Sequence, residues 1–281
     1  MINKILVTTD LSRNSKAGIR FAIQLASQSG AALIFYHAIE IPKPTRWSDE
    51  KYAAFTEEQI LEAKGKLNPF VKGVYKSSGV QPGNFECIVQ VGSPVDQTIM
   101  DYALKRKVDF ICMSTRGAGM IRRFMGTHTS SVLTHSTTPV LAIPKNYRAT
   151  PIKQILYSSD LNDLNKELKM VKRFADLTKS KISVVHYDYL YQLKETQSKL
   201  DKVALRYQAT GVKFHFEKLN MEHSLQAHLK KAIQKFKPSI VVLFTKQNRD
   251  WFERLFLSSK SADVSFDTKK PLLIISKNKV A

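Results

Sequence analysis

Short apolar runs alternate along the chain with longer stretches in which apolar residues recur every three or four positions. A short run that is apolar throughout predicts a strand buried on both faces of a sheet, and the longer spacing predicts an amphipathic helix. The predicted strands of the first half are Ile5–Thr9, Ala32–Ala38, Phe85–Val91, Asp109–Met113 and Pro139–Ile143. Strands that alternate with helices in this way favour a mostly parallel sheet with helices on both faces.

The pattern begins again in the second half of the chain, where four strands match strands of the first half in the same order. They are Ile155–Leu161, Ser183–His186, Ile240–Thr245 and Pro271–Ile275, which match Ile5–Leu11, Ile34–His37, Phe110–Thr115 and Pro139–Ile143 in turn. The repeat predicts an α/β protein of two tandem domains, residues 1–146 and 151–281. Each domain is expected to be a doubly wound, mostly parallel five-stranded sheet.

The composition is that of a globular protein outside the membrane. Of the 281 residues, 43% are hydrophobic and 24% are charged, and the apolar runs are too short to cross a bilayer. The first residues lack the apolar core and cleavage site of a secretory signal. Two cysteines, Cys87 and Cys112, lie within predicted strands, and the histidines show no metal-binding spacing. We therefore expect a cytoplasmic protein with reduced thiols and no metal site.

The net charge of +20 is high for a chain of this length. A field of this sign attracts nucleotides, nucleic acids and acidic partners in general. The basic residues are dispersed, and no signature of an RNA- or DNA-binding protein accompanies them. Lysine-rich helices that keep the protein in solution explain the charge, and weak binding to nucleic acid or another polyanion stays a lesser alternative.

Three features follow predicted strands, where ligands bind in open α/β sheets. The first is Asp10, whose carboxylate can accept from an exocyclic amine or a ribose hydroxyl, or can cap the next helix. The second is the turn at His37 and Ala38, where backbone groups can pair with a base and His37 can fill the strand end structurally. The third is the segment from Met113 to Thr129, a strand, a glycine-bearing loop and a helix start.

That third segment has the parts of a phosphate site. Free N–H groups and the positive end of the dipole favour an anion at a helix start. Gly117 and Gly126 let the main chain approach a phosphate, and the hydroxyls of Thr127 and Thr129 can donate to it. Arg116 can add a charge-assisted contact. The alternative for Gly126 and Thr127 is a plain turn and helix cap.

The Asp10 strand end, the Gly126-Thr127 helix start and the closing strand PVLAIPK (139–145) together resemble the universal stress protein family. The resemblance implies two Rossmann-like domains of the adenine nucleotide alpha hydrolase type. It implies a pseudo-dimer in which the last strands of the domains, Val140–Ile143 and Leu272–Ile275, lie side by side. It also implies a regulatory or stress-response protein that binds ATP or another adenine nucleotide in domain 1, with Mg²⁺ if ATP is bound.

The resemblance assigns a position to each candidate residue. Thr9 and Asp10 would lie at the adenosine and Ala38 at the base. Met113, Ser114 and Gly117 would surround the ribose and phosphates, whereas Arg116 is a candidate from its charge alone. The residues expected at the phosphates are Gly126, Thr127, His128 and Thr129.

The glycine loop departs from the family pattern G-x2-G-x9-G-[S/T]. Ser114 stands in place of the first glycine, and the loop between Gly117 and Gly126 is one residue short. A serine with positive φ costs about 1 kcal/mol, unless the backbone has changed. In the second half, residues 245–251 contain no glycine, and Asp160 alone of the set is kept. We therefore predict that domain 2 binds no nucleotide.

No motif identifies an enzyme, since the chain has no Walker-type loop, nucleophile elbow or paired carboxylates. Asp10 and His128 can in principle support slow ATP hydrolysis at most. The alternative function is a pseudo-dimeric interaction protein that binds no nucleotide and presents a surface to a protein partner or a second copy of itself.

Overall fold

The computed structural model describes residues 4–115, 128–188, 201–207, 210–218, 225–245 and 269–277. They form one sheet of ten strands with helices on both faces.

The first half contributes five parallel strands in the order β3-β2-β1-β4-β5. Its elements are β1 (Lys4–Thr8), α1 (Lys16–Ser29), β2 (Ala32–Ile39), α2 (Asp49–Ser78), β3 (Phe85–Val91), α3 (Val95–Lys105), β4 (Phe110–Thr115), α4 (His128–His135) and β5 (Val140–Pro144). The order runs outward from β1 in one direction and then restarts at β4 in the other. This is the doubly wound arrangement that the alternating pattern predicted.

The second half repeats that order in reverse along the sheet, as β10-β9-β6-β7-β8. Its elements are β6 (Gln154–Ser158), α5 (Leu164–Thr178), β7 (Lys181–Asp188), the helical segment α6 (201–207), β8 (Val212–Lys218), α7 (Leu225–Phe236), β9 (Ile240–Thr245) and β10 (Leu272–Ser276). The strand order of each half is therefore the same when it is counted from its own first strand. The fold class is confirmed as tandem α/β.

The two halves meet where β5 pairs with β10 in antiparallel fashion. Leu141 lies opposite Leu273, and the neighbouring pairs are Val140 with Ile274 and Ala142 with Leu272. Leu141 and Leu273 occupy the same position in the repeat, so an approximate two-fold axis passes between them. The predicted pairing of the last strands is confirmed, and the chain is an internal pseudo-dimer.

Helix packing strengthens this junction on one face of the sheet. The side chain of Gln28 at the end of α1 donates to the carbonyls of Ile152 and Thr178, both at 3.2 Å, and accepts from the N–H of Ile152 at 2.9 Å. Phe174 of α5 packs edge-on against Phe110 of β4, with ring centroids 5.7 Å apart. A single buried apolar layer includes residues of both halves on this face. The two domains therefore share one hydrophobic core.

The central strands are buried on both faces. All six residues of β9 are buried, as are the first four of β4. Helices α3, α4 and α7 contribute to the apolar layer opposite the one that contains α1, α2 and α5. A strand covered on both sides has no solvent face, which explains the apolar runs without alternation.

Candidate functional site

The order of the strands reverses between β1 and β4, which are paired with each other. Helix α1 follows β1 and helix α4 follows β4, and the two helices pack on opposite faces of the sheet. In open α/β sheets, ligands bind in the crevice at the carboxyl ends of the strands where the order reverses in this way. The loop after β1 contains Thr9 and Asp10, and the end of β4 contains Ser114. The candidate site is therefore at this edge of domain 1.

A hydrogen-bonded turn gives the loop after β1 its shape. The Thr9 Oγ1 atom accepts from the N–H of Leu11 at 3.0 Å and lies 2.7 Å from Ser15 Oγ. Leu11 has a φ of 59°, in the left-handed region. Thr9 itself is buried and joined to β2, because its N–H donates to the Tyr36 carbonyl at 2.9 Å. Thr9 thus stabilises the turn through these hydrogen bonds, and Asp10 is the exposed residue that follows it.

Asp10 is ionised at neutral pH. Its Oδ1 accepts from the N–H of Ser12 at 3.0 Å. Burial tends to raise the pKa of this carboxyl, but hydrogen bonds from Ser12 and Ser15 outweigh burial and lower the pKa below its ordinary value. The N-cap residue of α1 is Ser15, not Asp10. The carboxylate therefore shapes the loop, and the capping alternative for Asp10 is wrong.

Ser114 joins β4 to the beginning of α1. Its Oγ accepts from the N–H of Gly18 at 2.7 Å and donates to the Ser15 carbonyl at 3.1 Å. Gly18 N–H is one of the N–H groups that a helix start leaves without a partner, so Ser114 acts as a cap supplied from another element. A Cβ on Gly18 would lie 3.0 Å from Ser114 Oγ and 3.2 Å from Ser114 N, which is closer than most Cβ contacts, so this approach favours glycine.

The expected strain at Ser114 is absent. The residue belongs to β4 and is not among the described residues with positive φ. Its backbone has the extended form of a strand, which any residue adopts. The serine therefore replaces glycine without conformational cost and gains two hydrogen bonds.

The turn at the end of β2 also holds the loop. His37 Nδ1 donates to the Thr9 carbonyl at 2.8 Å, which is the structural role that the sequence offered for it. Ala38 follows within β2 and is partly buried, with Gln90 of β3 opposite it. The main chain at Ala38 thus runs beside the crevice.

The remaining candidates fall into two groups. The side chain of Met113 is buried in the apolar layer of α3 and α4, which leaves only its main chain for a ligand. His128 and Thr129 begin α4. The candidates Arg116, Gly117, Gly126 and Thr127 lie outside the described residues.

Domain 2 repeats several hydrogen bonds of the loop of domain 1. Ser159 Oγ accepts from Leu161 N–H at 3.0 Å, Asp160 Oδ1 accepts from Asn162 N–H at 3.0 Å, and Leu161 has a φ of 66°. His186 Nδ1 donates to the Ser159 carbonyl at 2.9 Å, as His37 does to Thr9. The repeat therefore extends beyond the strands to the hydrogen bonds of this turn.

A lysine lies beside Asp160 at the corresponding edge of domain 2. The ammonium of Lys277, just after β10, lies 2.7 Å from Asp160 Oδ2, 3.0 Å from Glu167 Oε1 and 3.9 Å from Asp163 Oδ2. Only 9% of its side chain and 1% of the Glu167 side chain are exposed. Glu167 also accepts from the buried hydroxyl of Tyr157. We call Lys277, Asp160, Asp163, Glu167 and Tyr157 the Lys277 network.

The stabilising effect of the Lys277 network should depend on pH at both ends of the range. Burial acts to raise the pKa of Asp160, but hydrogen bonds from Lys277 and Asn162 lower it below 3.8. Burial acts to lower the pKa of Lys277, but hydrogen bonds to Asp160 and Glu167 raise it above 10.5. A lowered carboxyl pKa gives stability that is lost as acid protonates the folded group, and a raised lysine pKa gives stability that is lost in alkali.

We therefore expect urea unfolding to show the largest difference between the wild type and Lys277→Met from about pH 5 to pH 10. The difference should shrink toward pH 3 and toward pH 11. A difference that is the same at all these values would contradict the ion pairing.

Sequence reasoning missed three residues, Lys277, Glu167 and Asp96. Asp96 at the start of α3 contacts His128 and Ser131 of α4. The repeat offered one signal for Lys277, because a lysine ends both PVLAIPK and PLLIISK. Ala17 occupies the position in domain 1 that Glu167 occupies in domain 2. Comparison of the halves therefore also indicates a charge inside domain 2 that domain 1 lacks.

The described part of the chain contains neither a candidate metal site nor a helix that could span a membrane. No group of three or more histidine, cysteine, aspartate or glutamate residues there could hold a metal ion. In the same residues, no helix has the length and apolar character needed to span a membrane.

Comparison with known proteins agrees with this fold. Over 99% of both chains, a universal stress protein from Archaeoglobus fulgidus DSM 4304 superposes with a TM-score of 0.72 at 16% identity. A functionally unknown protein from Pseudomonas aeruginosa PAO1 superposes with a TM-score of 0.58 at 14% identity, over 99% of this chain and 94% of that one. At these identities the likeness concerns the fold alone. No curated protein matches the sequence.

The family profile gives the assignment at the level of sequence. The profile of the universal stress protein family matches residues 1–144, which is more than half of the 281-residue chain. The chain belongs to the universal stress protein family.

Proposed function

We propose that domain 1 binds ATP or another adenine nucleotide, accompanied by Mg²⁺ in the case of ATP, and that the protein acts in a regulatory or stress response in the cytoplasm. The observation that carries the proposal is the reversal of strand order between β1 and β4, with Asp10 and the start of α4 at the same edge of the sheet. Ligands of open α/β sheets bind at such a reversal.

The residues around the crevice suit the parts of a nucleotide. Asp10 is ionised and accepts hydrogen bonds, which suits a ribose hydroxyl or an exocyclic amine. The main-chain N–H and carbonyl groups at Ala38 suit hydrogen bonds to the edge of a base, as such groups do at strand ends in general. The start of α4 suits phosphates, because N–H groups without helical partners and the helix dipole both favour an anion.

We propose further that domain 2 binds no nucleotide. Its Asp160 has the geometry of Asp10, but its second oxygen is 2.7 Å from the Lys277 ammonium. A ribose or amine that approached Asp160 would have to displace a charged partner from a buried position. The domain 2 crevice is thus taken by a side chain of the protein itself.

Calorimetric titration of the full chain with Mg-ATP tests both parts. Asp10→Asn keeps an oxygen for the turn but removes the charge, and we expect ATP affinity to fall about tenfold or more, as when a hydrogen bond to a charged group is lost. Asp160→Asn is the matched control in the other half. It should leave ATP affinity within about twofold, although it lowers the stability of the protein.

Two outcomes would contradict these proposals. If the wild type gives no heat with millimolar ATP, domain 1 is not a nucleotide site under these conditions and the proposed function fails. If Asp160→Asn weakens ATP binding as much as Asp10→Asn, the assignment of binding to domain 1 fails.

The alternative is an interaction protein that binds no nucleotide. The observation in its favour concerns Ser114, at the start of the candidate phosphate loop. Its hydroxyl forms hydrogen bonds with Gly18 and Ser15 at the start of α1. In that case the shared sheet would serve to present a surface to a partner. The same titration separates the two functions, since this alternative requires the absence of ATP binding.

A further inference from the structure

The basic residues of the helices are unequally divided between the two faces of the sheet. On the face of α1, α2 and α5, helix α1 has two lysine or arginine residues and the second half of α2 (63–78) has four, with no acidic residue in either. Helix α5 has four, against Glu167 and Asp176. On the opposite face, α3 has one basic and two acidic residues, α4 has no lysine, arginine, aspartate or glutamate, and α7 has three basic residues. The positive charge of these helices is therefore concentrated on one face.

Helix α5 presents a basic stripe to the surface. Lys166, Lys169 and Arg173 are exposed, and their i, i+3, i+7 spacing places them on one side of the helix. Glu167 does not offset them at the surface, because its side chain is 1% exposed and pairs with Lys277. The surface of α5 is thus more positive than its sequence indicates.

The second half of α2 has a similar stripe. Lys64, Lys72 and Lys76 are exposed and lie at i, i+8 and i+12, again on one side of the helix. The other side packs into the buried apolar layer. The acidic residues of α2 all lie in its first half, where Glu62 pairs with Lys66. Positive charge therefore dominates the half of α2 that covers the sheet.

Helix α1 lies between these two stripes. It packs against α2 and against α5, and it adds Lys16 and Arg20, both partly buried. The Lys16 ammonium lies 5.2 Å from the centre of the Phe70 ring of α2. Helices that pack side by side have axes about 8–10 Å apart, so the stripes of α2 and α5 are roughly 20 Å apart. We call the outward sides of α1, α5 and residues 63–78 of α2 the basic face.

We propose that the basic face binds the phosphate backbone of double-stranded nucleic acid without regard to base sequence. Its charge selects a polyanion, and the separation of its stripes requires an anion longer than one nucleotide. Duplex DNA has one negative charge per about 1.7 Å of its axis, so a single duplex can contact basic residues on more than one helix. This binding is separate from the nucleotide site proposed for domain 1.

The described surface suits a duplex better than a single strand. Proteins that bind single strands use exposed aromatic side chains, on which the bases stack. Every aromatic side chain in the described part of the chain is buried or partly buried. Lysine and arginine side chains that contact phosphates position a duplex and carry no sequence information. The basic face thus has groups for a backbone and none that reads bases.

Solubility is the competing explanation for the charge, and it predicts no dependence on where the charge lies. The test is the fluorescence anisotropy of a labelled DNA duplex of about 16 base pairs, titrated with the full chain at about 50 mM salt. Two triple variants each remove three charges from the basic face. They are Lys166→Gln/Lys169→Gln/Arg173→Gln on α5 and Lys64→Gln/Lys72→Gln/Lys76→Gln on α2.

A matched control removes the same charge from the opposite face. Lys105 of α3 and Lys230 and Lys231 of α7 are exposed there. The control variant is Lys105→Gln/Lys230→Gln/Lys231→Gln. It has the same net charge as either variant of the basic face, so it separates a local surface from the general attraction of a positive protein.

We expect the wild type to bind the duplex, with an affinity that falls about a hundredfold or more between about 50 and 200 mM salt. Each variant of the basic face should weaken binding about tenfold or more. It should also reduce the slope of log affinity against log salt by about two. The control should stay within about threefold of the wild type, and duplexes of different sequence should bind alike.

Three results would overturn the proposal. The first is the absence of binding by the wild type at about 50 mM salt. The second is an equal loss for the control and the basic-face variants, which would assign the attraction to net charge. The third is tighter binding of the single strand than of the duplex.

Mg-ATP separates this proposal from the proposed function. Saturating Mg-ATP should leave the duplex bound, and displacement of the duplex would place the DNA in the domain 1 crevice and overturn binding at the basic face. Calorimetry with ATP is independent of the duplex, so either proposal can fail alone. Thermal melting identifies a folding defect, and if one basic-face variant is unstable, the other still decides the outcome.

Discussion

Replacement of Lys277 by methionine is expected to lower the free energy of unfolding by about 3–5 kcal/mol. Glu167 is 1% exposed and accepts from Tyr157 on one oxygen, and the Lys277 ammonium lies 3.0 Å from the other. Methionine fills much of the same volume without charge. The variant therefore leaves a buried carboxylate with no neutralising cation, which costs far more than the loss of a surface ion pair.

Urea unfolding at neutral pH measures the effect, and the other half of the chain supplies the control. Lys145 follows β5, the corresponding strand of domain 1, where Ala17 stands in place of Glu167. Lys145→Met should change stability by less than about 1 kcal/mol, as most surface changes do. A loss at Lys277 as small as that at Lys145 would show that the network contributes little.

A double variant separates the cost of the buried charge from the loss of packing. Glu167→Gln keeps the shape of the side chain and its bond to Tyr157 but removes the charge. We expect the Glu167→Gln/Lys277→Met protein to be more stable than the Lys277→Met protein, since no charge is left unpaired. If it is less stable, packing of the Lys277 side chain, not its charge, dominates.

Residues 1–146 expressed alone are expected to form a homodimer through β5. In the full chain β5 pairs with β10, and the register is symmetric about the Leu141–Leu273 pair. Without the second half, β5 becomes an edge strand with unpaired backbone groups and uncovered apolar side chains. A second copy can replace β10 with the same two-fold geometry, so that Leu141 would face its own equivalent.

Light scattering after size-exclusion chromatography gives the mass directly. The melting temperature of the isolated domain should rise with protein concentration, because dimerisation couples to folding, and that of the full chain should depend on concentration much less. A folded monomer with a concentration-independent melting temperature would show that β5 needs no partner. The boundaries of both domains, 1–146 and 151–281, stay predictions, and this experiment tests the first of them.

Much of the fold could be predicted because its cause is local. Strands such as Phe110–Thr115 and Ile240–Thr245 are covered on both faces, so their sequences are apolar without alternation. Their similarity across the halves then predicted the repeat, and the pairing of β5 with β10 followed from the family resemblance. These predictions are confirmed.

The contacts of the candidate site were harder to predict because they join distant parts of the chain. Ser114 bonds to Gly18 across 96 residues, and Lys277 bonds to Asp160 across 117. No spacing rule applies at such separations, since the sheet topology alone brings the partners together. Ser114 was therefore expected to strain a loop, whereas it caps a helix. The ligand roles of Asp10, Ala38 and the glycine loop stay predictions.

The antiparallel pairing of β5 with β10 has a consequence for how the two halves can diverge. All strands of the first half run one way and all strands of the second run the other, so the two carboxyl edges face opposite sides of the molecule. After a gene duplication, either crevice can be lost without blocking access to the other. A domain that no longer binds a ligand can then acquire an internal ion pair in place of its binding site. It can still stabilise the other domain through the shared hydrophobic core.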